Sequence, residues 1–240
     1  MDVAMKALAS YTVEDQRRMT RAKNYFAWLA RLALPELGRR VVEVGCGIGN
    51  FTELLLDRDA VIAIDESAEC IAMVERRCPR AHALQMDAGS EAVLELARFE
   101  PDSCVILNVL EHIEDDAGTL RRLASILPEG GRIVLLVPAF AALFGPIDRN
   151  LGHYRRYSRR SLTTLAGEAG LLIRKMHYVN ALGFFGWWVN ARVLKREAQS
   201  ERQIEVFDRL TPVLARLESI PPPFGQSLFA VLEKSRAFTG

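Results

Sequence analysis

The chain has 240 residues, half of them hydrophobic, with 31 basic against 30 acidic side chains and a net charge of +1. That is enough apolar material for one large domain and too much for a disordered chain. The balanced charge leaves no electrostatic footprint for a polyanion, so nucleic acid is not an expected partner.

Cys46, Cys70, Cys78 and Cys104 form no Cys-x-x-Cys pair and no zinc spacing with histidine, which fits a reduced, cytoplasmic setting. The opening MDVAMKALAS has no apolar signal core. The longest strongly apolar stretch, 180–194, is interrupted by Asn190 and Arg192 and falls short of the ~20 residues a bilayer span takes.

In chain order, Tyr25, Trp28, Leu29 and Leu32 recur at helical spacing within 13–33, and Pro35 and Gly38 end that helix. RVVEVG at 40–45 reads as a strand, 50–57 as a helix and AVIAID at 60–65 as the next strand. Ser67 is placed to cap a helix over 68–77. Strands follow at 81–87, 103–110 and 132–138, separated by helices near 90–97 and 115–127. Five strand–helix alternations predict an α/β domain with a mostly parallel sheet and helices on both faces.

After Pro138 the pattern changes. A loop runs to about 157, a helix starts at Ser158 or Ser161 and continues to 168, and 171–179 is strand-like. Two further helices are expected at 181–196 and 201–218, the second containing Pro212. IPPPFGQ makes a stiff turn into a last strand within 225–234. The expected division is a helical cap over 1–37, a cofactor half over 38–138 and a substrate side over 139–240, with 181–218 as a helical insertion.

The stretch VVEVGCGIGNFTELL places Gly45, Gly47 and Gly49 where the first strand gives way to the first helix. Such a turn uses positive φ angles and lets a ligand approach the backbone, with free N–H groups expected at the helix start. Asp65 ends the second strand, where a carboxylate can accept both hydroxyls of a ribose. A nucleoside-containing cofactor is therefore expected. The dinucleotide fingerprint Gly-x-Gly-x-x-Gly fails, because its last position is Asn50.

VVEVGCGIG resembles the first motif of the class I S-adenosylmethionine (SAM)-dependent methyltransferases, and the resemblance continues in order over roughly 38–138. AIDES is similar to the ribose-binding segment, QMDA to the adenine-binding one, NVLEHIEDD to the motif at the mouth of the central strand, and LPEGGRIVLLVP to the fifth strand. The resemblance implies a Rossmann-like, doubly wound, seven-stranded sheet of order 3-2-1-4-5-7-6 with an antiparallel last strand. It also implies cofactor contacts at Glu43, Gly45, Cys46, Gly47, Gly49, Asp65, Glu66, Asp87, Ala88 and Asn108. SAM is then the cofactor, S-adenosylhomocysteine the product, and no metal is expected. An acidic residue such as Glu43 near the turn suits an ammonium and sulfonium better than a cation would.

DRNLGHYRRYSRRSL, 148–162, gathers five arginines, a histidine and two tyrosines. His153 is the candidate catalytic base for a substrate hydroxyl, or else a packed loop residue. Arg155 or Arg156 could hold an anionic group bidentately. His112, Tyr154 and Trp187 complete the expected acceptor side. GFFGWWVN, 183–190, is read as a helix on the sheet edge or at a dimer contact, a lid over a hydrophobic pocket, or an interfacial helix beside Arg192, Lys195 and Arg196. An aromatic of the N-terminal helix, Tyr11, Tyr25 or Trp28, either covers the cofactor or packs in the core.

The expected activity is in-line methyl transfer to a small-molecule or lipid-like acceptor, anionic or hydrophobic, at a hydroxyl or carboxylate oxygen. N- or C-methylation remains open, as do a catalytically silent SAM-binding subunit acting through 180–218 and a nicotinamide-dependent dehydrogenase. The chain is expected to be a monomer or homodimer, with a peripheral membrane contact left open. Signatures of amino-methylating, cytosine-methylating and ribose-methylating nucleic-acid enzymes are absent: Asn108 is followed by Val109 and Leu110, there is no Pro-Cys nucleophile, and lysines are too few. An acidic metal triad of the kind used by metal-dependent catechol enzymes is not evident in the sequence.

Overall fold

The computed structural model describes residues 14, 16–189, 201–218 and 220–235. Seven strands, β1 Arg40–Val44, β2 Ala60–Asp65, β3 His82–Gln85, β4 Ser103–Leu107, β5 Arg132–Pro138, β6 Leu171–Val179 and β7 Ser227–Lys234, form one sheet. Their order is β3-β2-β1-β4-β5-β7-β6. The first five pair in parallel, and β7 runs antiparallel to both β5 and β6. The strand order reverses between β1 and β4, so the chains leaving these two strands diverge and open a crevice at the carboxyl edge.

The helices are α1 Lys23–Ala33, α2 Ala68–Arg77, α3 Asp116–Ile126, α4 Pro146–Asn150, α5 Arg159–Glu168, α6 Ala181–Trp188 and α7 Glu201–Leu217. Alternate strand residues point to opposite faces. Val42, Val44, Ile62, Ile64 and Ile106 pack with Leu120 and Leu123 of α3 and Leu162 of α5. Val41, Val61, Val105 and Val134 pack with Trp28, Leu29 and Ala33 of α1 on the other face. Each fully buried Leu or Ile here contributes about 1.5–3 kcal/mol. This two-sided core explains why β1, β2, β4 and β5 read as nearly continuous apolar runs.

The caps are local and follow from the sequence. Ser67 Oγ accepts from Cys70 N at 3.3 Å, Asp115 Oδ1 from Gly118 N at 2.9 Å, and Ser158 Oγ from Ser161 N at 3.0 Å. Three expected elements differ. The segments read as helices at 50–57 and 90–97 are 3-10 turns, Thr52–Leu55 and Glu91–Phe99. The first must fit between Gly49 and the start of β2 at Ala60, which favours the shorter form. The N-terminal helix expected over 13–33 breaks at Thr20–Ala22, where the Thr20 hydroxyl turns to Asn50 Oδ1 at 3.3 Å. Tyr11 and the 190–196 part of the apolar helix, with Arg192, Lys195 and Arg196, lie outside the described residues. Among the described residues no helix is long and apolar enough to cross a membrane.

Candidate active site

The glycine turn follows β1 directly. Gly45, Gly47 and Gly49 hold φ of +71°, +52° and +87°. A Cβ on Gly45 would lie 2.3 Å from Val109 Cγ2, and one on Gly47 would lie 2.1 Å from Gln16 Oε1. The space freed by these glycines is thus filled by two neighbours, the chain leaving β4 and the N-terminal segment.

The hydrogen-bond inventory of the turn is complete. Gly45 N and Cys46 N donate to Ile64 O at 2.8 and 3.0 Å, and Gly49 N donates to Cys46 O at 3.0 Å. Gly47 N donates to Asp65 Oδ2 at 2.8 Å, and Ile48 N to Gln16 Oε1 at 2.9 Å. The amides from Gly45 to Gly49 are therefore all paired, and only those at the helix start, Asn50 to Thr52, where free N–H groups are expected, stay outside this network. A pyrophosphate needs such donors open. A cationic ammonium or sulfonium does not.

Asp65 closes β2, with its second oxygen accepting from Ser67 N at 3.0 Å. Burial raises its pKa, against the Ser67 and Gly47 amides. These bonds aim the carboxylate and leave lone pairs on both oxygens for ribose hydroxyls. Glu66 is exposed beside it, its pKa raised by partial burial and by Asp65 and Asp87. Asp87 follows β3, accepts from Gly89 N at 2.7 Å, and is exposed next to the half-buried Ala88.

Glu43 is 4% exposed, and its Oε2 has no hydrogen-bond partner. Burial pushes its pKa up to about 8, opposed by Thr52 and assisted by Asp65. Cys46 is a buried thiol whose pKa burial also raises. Asn108 leaves β4 with φ of +54° and donates its N–H to Leu136 O at 2.8 Å. Tyr25 of α1 reaches it: burial pushes the phenol up to about 12, against a hydrogen bond with Asn108.

The basic stretch after β5, expected to face the acceptor, is organised by Asp148, whose side chain is fully buried. Its Oδ2 accepts from Gly145 N at 2.8 Å, and its Oδ1 meets His153 Nδ1 at 3.0 Å and Arg156 Nε at 2.8 Å. Burial opposes ionisation of Asp148, but His153, Arg156 and the Gly145 amide outweigh it and lower the pKa. The Arg156 guanidinium also donates to Ala139 O at 3.1 Å and lies 4.8 Å from the centroid of the Trp187 ring. Arg155 spends its donors on Glu114 O at 2.7 Å and on Asp116 at 3.0 Å. The Arg156 guanidinium is buried in these contacts, whereas the Arg155 side chain remains 35% exposed. Tyr154 is 55% exposed.

His112 and His153 meet edge to face with ring centroids 4.5 Å apart. Burial, then His153, pushes the His112 pKa down to about 4, so its ring is neutral at physiological pH. Glu111 is 1% exposed with an unpartnered Oε2, and burial pushes it up to about 8. Glu111, His112 and His153 offer ligand atoms within 4.8 Å of one another, a set able to hold a metal ion. Gln16 and Asp148 belong to none of the quoted family motifs, while Glu111 lies within NVLEHIEDD. The one sequence signal for Asp148 is its place five residues before His153 in the same basic stretch.

A family model described as a methyltransferase domain matches residues 16–175. The ubiquinone biosynthesis O-methyltransferase of Xanthomonas campestris pv. campestris is 36% identical over 110 residues, covering 44% of this chain and 45% of that protein. The trans-aconitate 2-methyltransferase of Variovorax paradoxus is 34% identical over 113 residues, covering 46% and 42%. The matches thus span a little under half the length of these curated relatives. Among solved structures, N-methyltransferase NodS of Bradyrhizobium japonicum, in complex with S-adenosyl-l-homocysteine, superposes with a TM-score of 0.55 at 17% identity, over 93% of this chain and 88% of that one. A SAM-dependent methyltransferase of Archaeoglobus fulgidus gives 0.56 at 19%, over 88% and 94%. At such identities the superpositions speak for the fold alone. The glycine turn without open amides, the acid at the end of β2, the strand order and the match over 16–175 together make the chain a member of the methyltransferase domain family, the class I SAM-dependent methyltransferases of Rossmann-like fold.

Proposed function

We propose that this chain methylates an oxygen of a small, hydroxylated or carboxylated acceptor, with His153 as the catalytic residue. The observation that carries the reading is the Asp148–His153 pair beside the β4 exit loop. Asp148 accepts a hydrogen bond from Nδ1–H and so fixes the tautomer, which leaves Nε2 with a lone pair. The residues fit the cofactor: Asp65 would hold the ribose, Asp87 and Ala88 the adenine, and the saturated turn with Glu43 behind it the amino-acid portion. When bound, SAM supplies an activated methyl group. The protein's part is to hold the acceptor oxygen in line, an alignment worth about 7–11 kcal/mol in favourable systems, and, for a hydroxyl acceptor, to receive its proton on His153 Nε2, worth about 10²–10⁴-fold; a carboxylate acceptor needs no base.

In this reading residues 38–138 form the cofactor half and 139–240 the acceptor side. His112, Tyr154 and Trp187 border the acceptor. Arg155 and Arg156 act as positioning residues, because their charges are already paired. Two relatives support oxygen as the acceptor atom, one named for O-methylation in ubiquinone biosynthesis and one for trans-aconitate methylation. The test is methyl transfer from labelled SAM to panels of phenols and carboxylic acids. A base-labile product identifies a methyl ester, and a base-stable one an ether. Transfer to amines alone would overturn the reading.

One observation favours a second reading. The Glu111, His112 and His153 set could hold a divalent cation that acidifies the acceptor in place of a free His153 lone pair. Dialysis against a chelator separates the two: undiminished turnover supports the base, and loss restored by one divalent metal supports the ion.

A further inference from the structure

We propose that Gln16 is a cofactor-positioning residue: its side-chain oxygen takes up the Ile48 N–H of the glycine turn and, with Asn50, shapes that turn for a cation. The inference rests on SAM lying against this turn. Gln16 Oε1 sits in the space that the absent Cβ of Gly47 leaves, and accepts from Ile48 N at 2.9 Å. The same oxygen lies 3.8 Å from Cys70 Sγ, in the first turn of α2, so one amide bridges the glycine turn and α2.

Asn50 is the second half of the device. It occupies the place where a dinucleotide binder carries its third glycine. Its Nδ2 donates to Gln16 O at 3.2 Å, and its Oδ1 accepts from Thr20 at 3.3 Å and from Arg77 at 3.1 Å. Arg77 also donates to Ile48 O at 2.6 Å, and Arg17 pairs with Glu69 of α2 at 2.9 Å. The departure from the dinucleotide motif is therefore the side chain that seats the N-terminal segment on the turn. Without Gln16, the Ile48 N–H loses its acceptor and Gly47 loses its neighbour.

The experiment compares Gln16→Leu, which removes the acceptor at similar volume, with Gln16→Glu, which keeps it. Loss of an acceptor from a partly buried donor corresponds to about 5–30-fold in affinity. Gln16→Leu raises the KM and Kd for SAM by that factor, with kcat and acceptor KM within about twofold of wild type. Gln16→Glu stays within about threefold throughout. Asn50→Gly, which restores the dinucleotide spacing, weakens SAM in the same direction and gains no NAD binding. Melting temperatures of the ligand-free variants check folding, and Gln16→Met replaces the leucine variant if that one does not fold. Equal SAM affinity in wild type and Gln16→Leu overturns the proposal, and so does equal loss in the leucine and glutamate variants. Failure of the wild type itself to bind SAM would instead remove the cofactor reading on which the proposal rests.

Discussion

Around the glycine turn the backbone does the polar work, and around Asp148 side chains do it. The turn closes its amides on Ile64 O, Cys46 O, Asp65 and Gln16 over a span of five residues. The acceptor side spends one carboxylate on a backbone amide, a histidine and an arginine that come from three places between Gly145 and Arg156. The first arrangement is rigid and tolerates few residue types, because positive φ and close packing demand glycine. The second can change its acceptor by changing side chains while the scaffold stays. The contrast teaches that the shape of the turn is set by glycine and main-chain geometry, while the Asp148 cluster is a side-chain network open to substitution.

The largest effect that tests this contrast is His153→Ala. It should lower kcat by about 10²–10⁴-fold and leave the SAM dissociation constant unchanged, as read by single-turnover transfer and by titration. Loss of SAM binding in that variant would mean that the two regions are not separate.

Arg156→Ala comes next. It leaves the buried Asp148 charge short of a partner, which costs about 3–5 kcal/mol of stability. Denaturant melts of this variant should show that loss, and a change near zero would mean that Arg156 does not hold Asp148.

On the cofactor side, Asp65→Ala should weaken SAM binding through lost hydrogen bonds to a charged group, worth about 1.5–3 kcal/mol. Saturating SAM should then restore most of kcat. If kcat stays low at saturation, Asp65 does more than bind.

The smallest effect, counted per pH unit, is a slope of stability with pH. Glu43 and Glu111 both have pKa values raised to about 8 by burial. Between the ordinary carboxylate range and pH 8 the unfolded chain has lost these protons while the folded chain keeps them. Stability therefore falls as pH rises, by up to about 1.4 kcal/mol per pH unit for each group. Glu43→Gln and Glu111→Gln should each flatten the decline of the melting temperature between pH 5 and 8. Parallel curves for wild type and variants would contradict the buried, protonated assignment.

Much of this fold is legible in the sequence because its signals are local. β6 at 171–179 and the Ser67-capped helix at 68–77 stand where the pattern places them. The seven-strand order follows from the family resemblance, and the sheet has it. The helices expected at 50–57 and 90–97 are 3-10 in the structure, a difference that apolar spacing alone does not reveal.

The site divides in the same way. Gly45, Gly47, Gly49 and Asp65 announce themselves through spacing. Gln16 does not, since nothing local says that a glutamine 29 positions before Gly45 ends on its turn. Glu111 stands in NVLEHIEDD, where the sequence leaves capping, salt bridging and chemistry open, and its burial without a partner is created only by packing. Arg155 and Arg156 look in sequence like open anion clamps. The fold gives both of them internal partners.

The central claim is that the turn receives an adenosyl cofactor without a pyrophosphate, because the amides of Gly45 to Gly49 are already taken. The most direct measurement is calorimetric titration of the purified chain with SAM, S-adenosylhomocysteine and NAD under one set of conditions. The account predicts saturable heat at one site per chain for the first two and none for the third. Saturable binding of NAD with no response to SAM would contradict it.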